Sequence, residues 1–210
     1  MNHCIVIGQP NVGKTLLSFR LAKLCGMKSV FVIKELLRDV PTEQVIIVNE
    51  AVQTLVNGCE HSTVGVQTIG IGMSQTMGQP VVLYDTVGLS EDAMMNIHHR
   101  HGMTRTLQLF ISCDLVFHVV DASTLHDDKL HSIDEQIYSL AKSRKVPYVL
   151  IMNKMDLLST KRQRRLEGML RRYKAVFISA KYDQGVSPLK HVLERTNMVN
   201  YSYAAWMRGN

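Results

Sequence analysis

The chain has 210 residues, 46% of them apolar and 20% charged, with a formal net charge of +6. That length gives one domain with room for an insertion, and the composition excludes a disordered or fibrous chain. No apolar run approaches the roughly 20 residues of a membrane-crossing helix and no leader precedes the first strand, so the expectation is a cytoplasmic protein. Cys4, Cys25, Cys59 and Cys113 are widely spaced with no C-x-x-C pair, which argues against a zinc site or a disulfide framework.

Residues 4–15 read CIVIGQPNVGKT. An apolar run stops at Gly8 and a periodic segment restarts at Leu16, the pattern of a strand, a tight loop and a helix. Gly8, Gly13, Lys14 and Thr15 satisfy G-x-x-x-x-G-K-[ST]. Backbone N–H groups of this loop, including those of Asn11, Val12 and Gly13, can therefore wrap a phosphate at the positive end of the helix. Lys14 would neutralise the outer phosphates and Thr15 would hold a magnesium ion, so a nucleoside triphosphate is the first expectation.

The first helix is expected over 14–24, stopped by Gly26. Residues 27–65 then break the pattern: SVFVI suggests an extra strand, and residues 41–58, PTEQVIIVNEAVQTLVNG, suggest a helix. This segment reads as an insertion that either packs as a decoration or serves as a partner-binding or gating element. VQTIGIGMS and PVVLYD follow, separated only by QTMGQ, which fits a hairpin and one antiparallel edge strand.

After Leu89 the segment SEDAMMNIHHRHGMTRTLQLF is expected to form a helix that starts near Ser90, with Glu91 and Asp92 in its first turn. His98, His99 and His101 flank Arg100 there, but neighbouring helical positions point in different directions and make a poor metal site. A solvated face or an interface is the better reading, and a catalytic role for His98 or His99 requires movement towards the phosphate. Further strands are expected at LVFHVVD, PYVLIMN and AVFIS, and further helices over 125–144, 160–173 and 187–197. The sum is an α/β fold of three layers, with a six-stranded, mostly parallel sheet and helices on both faces. The domain covers 1–197, and residues 198–210 form a short tail with Tyr201, Tyr203 and Trp206.

Three later stretches name the nucleotide. DTVG, residues 85–88, follows a strand, so Asp85 can reach the magnesium through water while the Gly88 N–H faces a γ-phosphate. NKMD, residues 153–156, closes a strand at the carboxyl edge of the sheet. Asp156 can accept hydrogen bonds from guanine N1–H and the 2-amino group, a pair adenine does not offer. An unmatched buried carboxylate costs about 2 kcal/mol or more. Lys154 can lay its stem over the base, and Asn153 can bind the base and tie its loop to the phosphate loop. SAK, Ser179 to Lys181, lets the Ala180 N–H reach the guanine oxygen.

With these four motifs in order, the chain resembles the Ras-like P-loop GTPases over about residues 2–197. GQPNVGKT and DTVGL make it most similar to the Era-like bacterial branch of Era, TrmE and EngA type. That branch includes ribosome-assembly and tRNA-modification GTPases and the cytosolic domain of the ferrous-iron transporter. The resemblance implies GTP and GDP as ligands, Mg2+, and a magnesium-dependent molecular switch that hydrolyses GTP slowly without a partner. It further implies a switch threonine closing on the metal and the γ-phosphate. Thr68 in GVQTIG is the best match and Thr63 the runner-up. In several members the asparagine at the position of Asn11 helps to ligate K+, so cation-stimulated hydrolysis is an expectation. The catalytic set is then Lys14, Asn11, Thr68 and Gly88. Many members orient the attacking water with a glutamine directly after DxxG. Here Leu89 stands in that place and cannot do so.

Between Lys161 and Lys174, KRQRRLEGMLRRYK carries seven basic residues against one acid. A solvated face is the plain reading, and contact with RNA, a ribosome or an effector protein the sharper one. The resemblance also leaves room for two chains to pair across the switches. A second class of function is a GTP-binding regulatory or scaffolding protein with negligible turnover, favoured by Leu89 and the long insertion. An ATP kinase fits poorly, because NKMD would then have no purpose.

Overall fold

A computed structural model describes residues 2–35, 40–58, 65–72, 80–90, 97–126 and 129–196. The expected helix start at Ser90–Asp92, the hairpin turn QTMGQ, Cys59, Thr63, Asn197 and the tail 198–210 fall wholly or partly outside them.

Eight strands build one sheet: β1 (Asn2–Ile7), β2 (Ser29–Glu35), β3 (Thr42–Ile47), β4 (Val66–Ile71), β5 (Val81–Asp85), β6 (Leu115–Asp121), β7 (Tyr148–Asn153) and β8 (Val176–Phe177). Their order is β3-β2-β4-β5-β1-β6-β7-β8. From β5 to β8 every pairing is parallel, whereas β4 runs antiparallel to β5 and β2 antiparallel to both β4 and β3.

Two expectations change. The sheet has eight strands rather than six, and β4, although antiparallel, is internal, because β2 and β3 lie outside it. The source of the difference is the first third of PTEQVIIVNEAVQTLVNG, which forms strand β3 and not helix. Its Val-Ile-Ile run suits the pleated surface, and a ladder to β2 pairs Phe31 with Val45 and Ser29 with Ile47. Helix α2 begins only at Val48 and runs to Val56. The 27–65 segment therefore lengthens the sheet by two strands and adds one helix.

The remaining helices are α1 (Lys14–Leu24), α3 (Ile97–Ser112), α4 (Ser132–Arg144), α5 (Thr160–Met169) and α6 (Ser187–Thr196). The helix expected from Leu125 starts seven residues later. Asp121 accepts hydrogen bonds from the Ser123 N–H at 2.9 Å and its hydroxyl at 2.6 Å, which turns the chain into a short 3-10 segment first. Ser159 caps α5 by accepting from the Arg162 N–H, and a 3-10 turn over Leu170–Tyr173 completes the basic segment.

Every residue of β6 and β7 is buried, as strands covered on both faces must be. Leu17, Leu21, Val30, Val52 and Leu193 fill the side of the sheet under α1, α2 and α6. Ile5, Leu89, Phe110, Ile137 and Leu166 fill the other side, under α3, α4 and α5. Because β5, β1, β6 and β7 are parallel neighbours, Asp85, Gly8, Asp121 and Asn153 arrive at one edge of the sheet. Among the described residues no helix is long and apolar enough to cross a membrane.

Candidate functional site

At that edge lies a cleft of about 320 Å³. The loop after β1 contributes Pro10, Asn11, Gly13, Lys14 and Thr15 to its wall, the end of β5 contributes Gly88, and the loops after β7 and β8 contribute Asn153, Lys154, Asp156 and Lys181.

Lys14 is buried, and its ammonium donates to the carbonyls of Gln9 at 2.7 Å and Gly8 at 3.2 Å. Burial lowers its pKa to about 8, while Asp85 and Asp134 pull the other way. An anion placed in the loop would favour the charged form further and draw on the same N–H donors. Gly88 lies so close to the loop that a Cβ there would sit 2.4 Å from the Pro10 nitrogen, and the next N–H, that of Leu89, donates to Gly8 O at 3.0 Å.

The Thr15 hydroxyl donates to Asp85 Oδ2 at 2.7 Å. Asp85 Oδ1 is buried with no hydrogen-bond partner among the described residues. Burial pushes this carboxyl up to about 6, against the opposing effects of the Thr15 hydrogen bond and Lys14. A hydroxyl and a carboxylate meeting at a phosphate loop, with one carboxylate oxygen unspent, are the hard oxygen donors that Mg2+ takes. Thr68 is not brought to them. It sits within β4, paired with Ile33 and Tyr84, and does not line the cleft.

The Asn153 side chain spans two loops: its Nδ2 donates to Val12 O at 2.8 Å, and its Oδ1 accepts the Ala180 N–H at 2.9 Å. One buried amide thus locks the phosphate loop to the SAK loop. Asp156 is aimed by the Ser179 hydroxyl, which donates to Oδ1 at 2.5 Å. Lys154, whose ammonium pairs with Asp121 at 2.7 Å, also lines the cleft.

A family model described as "50S ribosome-binding GTPase" matches residues 3–154. The chain belongs to that family. The tRNA modification GTPase MnmE of Acetivibrio thermocellus is 25% identical over 189 residues, 90% of this chain and 33% of that protein. MnmE of Nitrosomonas eutropha is 27% identical over 198 residues, 91% of this chain and 34% of that protein. The chain therefore spans about a third of the length of these relatives. Among solved structures, a variant of Aquifex aeolicus Era bound to GDP and AlF4− superposes with a TM-score of 0.64 at 18% identity, covering 96% of this chain and 59% of that one. Era in complex with MgGDPNP and a segment of 16S ribosomal RNA gives 0.63 at 18% identity, covering 93% and 56%. At that identity the likeness is one of fold.

In this member of the family several residues contribute that no motif announces. Leu55, Val56 and Gly58, at the end of α2, join Leu16 and Leu157 on the cleft wall, so the chain's extra segment takes part in the site. Gln9 donates from Nε2 to buried Asp134 Oδ2 at 2.8 Å, and Asp134 Oδ1 lies 3.0 Å from His118 Nε2. His118 Nδ1 in turn lies 2.6 Å from the Tyr148 hydroxyl. The phosphate loop is thereby moored to α4, β6 and β7 through a polar chain whose members beyond Gln9 (Asp134, His118 and Tyr148) are buried.

Arg20, buried on α1, donates to Ala180 O at 2.9 Å and Lys181 O at 2.8 Å and pairs with Asp183 at 3.0 Å. The helix that carries the phosphate loop thus fixes the far loop as well. Arg20→Ala leaves two carbonyls and a carboxylate without their donor. We expect it to lower stability by about 2 kcal/mol and GTP affinity about ten-fold. Arg20→Lys should recover only part, because an ammonium cannot reproduce the planar fork. Chemical denaturation and fluorescent-nucleotide titration check this, and wild-type affinity in Arg20→Ala would contradict it.

Proposed function

We propose that this domain is a cytoplasmic switch that binds GTP with Mg2+, hydrolyses it slowly to GDP and phosphate, and passes its nucleotide state to a partner. The observation that carries the reading is the Asn153 bridge, which spends the Ala180 N–H on holding the phosphate loop to the SAK loop, whose Ser179 in turn aims Asp156, the residue we assign to reading the base. Lys14 and the loop N–H groups would take the β- and γ-phosphates, and the Gly88 N–H would face the γ-phosphate. Thr15 directly and Asp85 through water would hold Mg2+, which neutralises charge on the phosphates. Closure of Thr68 on the metal would require β4 to give up its pairing with Tyr84, so Thr15 and Asp85 are the ligands we assign.

Asn11, held at φ 59° and lining the cleft, is proposed to help seat K+ beside the phosphates. The exposed side chains of Lys161, Arg164, Arg165, Arg171, Arg172 and Lys174, on α5 and the turn after it, are proposed as an RNA-contacting face. MnmE is a tRNA modification GTPase, and phosphate contacts by such a face weaken steeply with salt.

Phosphate release from GTP and Mg2+ tests the reading. Release should be abolished by Lys14→Ala, faster in KCl than in NaCl, and accompanied by RNA binding that weakens as salt rises. Binding of GTP with no release in any buffer would favour the second reading, a GTP-binding scaffold with negligible turnover, which the apolar burial of Leu89 supports.

A further inference from the structure

Hydrolysis needs a group that orients water against the γ-phosphate, and the residue after Gly88 does not provide it. The Leu89 side chain is buried in the core with Leu109 and Phe110, and its N–H is spent on Gly8 O. Among the described residues, the cleft wall offers a replacement. His99, in the first turn of α3, lines the cleft together with Pro10, Lys14 and Gly88, the residues placed around the terminal phosphate. It is half-buried, whereas His98, Arg100 and His101 are exposed. This departs from the sequence expectation that His98 or His99 must move towards the phosphate to act: His99 already lines the cleft, and His98 does not.

We infer that His99 is the catalytic residue that orients the attacking water in GTP hydrolysis. This rests on the reading of the cleft as a GTP-hydrolysing site. The water oxygen forms a bond to the γ-phosphorus as the bond from that phosphorus to the β–γ bridging oxygen breaks. The electron pair of that bond leaves on GDP, and the water proton ends on the phosphate product or in solvent. His99 accepts a hydrogen bond from the water and keeps no proton. Burial and the nearby Lys14 ammonium hold its pKa below the ordinary histidine value, which favours the uncharged ring, the form that accepts a hydrogen bond.

The test is single-turnover GTP hydrolysis alongside fluorescent-GTP affinity for the full chain and four variants. His99→Ala should slow hydrolysis about 100-fold with affinity changed less than about two-fold, the signature of a group that acts on the reacting water and not on the bound nucleotide. His99→Gln, which keeps an acceptor, should recover part of the rate. His98→Ala and His101→Ala should match the wild type. Wild-type rate in His99→Ala, a parallel loss of affinity and rate, or an equal loss in His98→Ala would each overturn the assignment. A wild-type chain that binds GTP and never hydrolyses it would sink the hydrolytic reading and His99's role with it. A wild type that hydrolyses while His99→Ala keeps pace would sink only the role.

Discussion

Asp156→Asn is expected to transfer nucleotide preference from GTP to xanthosine triphosphate. As a carboxylate, Asp156 can only accept, and guanine answers with two donors, N1–H and the 2-amino group. The Ser179 hydroxyl on Oδ1 fixes the rotation of the carboxyl, and Ser179 is itself seated by the Tyr182 N–H at 3.3 Å. An asparagine held the same way keeps one acceptor and turns its other atom into a donor, which meets the 2-amino group of guanine donor to donor. Xanthine carries an oxygen at that position and pairs with it.

Losing one hydrogen bond to a charged acceptor, worth about 1.5–3 kcal/mol, setting a donor against a donor in its place and removing the charge from the bond that remains together predict a fall in GTP affinity of at least about 100-fold. Affinity for the xanthine nucleotide should rise to within about ten-fold of the original GTP value. Competition binding with GTP, XTP and ATP on one preparation measures all three. ATP should stay weak in both proteins, since adenine presents neither pattern. If GTP affinity survives the substitution, Asp156 does not read the base.

Much of this site is written in local sequence. Gly8–Thr15, Asp85–Gly88, Asn153–Asp156 and Ser179–Lys181 are short, and each sits at a strand end where backbone geometry leaves few arrangements open. What stayed illegible depends on distance. Gln9 meets Asp134 across 125 residues of chain, and Arg20 meets Ala180 across 160; a glutamine or an arginine alone carries no sign of such a partner. The missed strand β3 is a different failure. TEQVII satisfies both helical and strand periodicity over six residues, and only pairing with β2 decides between them. His99 was legible as a residue type and not as a position, because its reach is set by where α3 begins relative to Gly88.

The substitution expected to do most damage outside the base pocket is Gly13→Ala, and its cause can be separated into two parts. Gly13 adopts φ +95°, which costs an L-residue about 1–2 kcal/mol wherever it occurs. It also faces the Asn153 bridge: a Cβ would lie 2.4 Å from Asn153 Nδ2, so the amide must leave Val12 O and release its hold on Ala180. Gly26 isolates the first part, having φ +82° with nothing within 4 Å of a built Cβ. Gly26→Ala should therefore lose about 1–2 kcal/mol in denaturation and bind GTP as the wild type does. Gly13→Ala should lose more stability than that and bind GTP at least about 100-fold more weakly, because both loops move apart from the frame that aligns phosphate and base. If the two variants weaken GTP binding equally, strain alone explains the glycine and the Asn153 bridge is not what joins the two halves of the site.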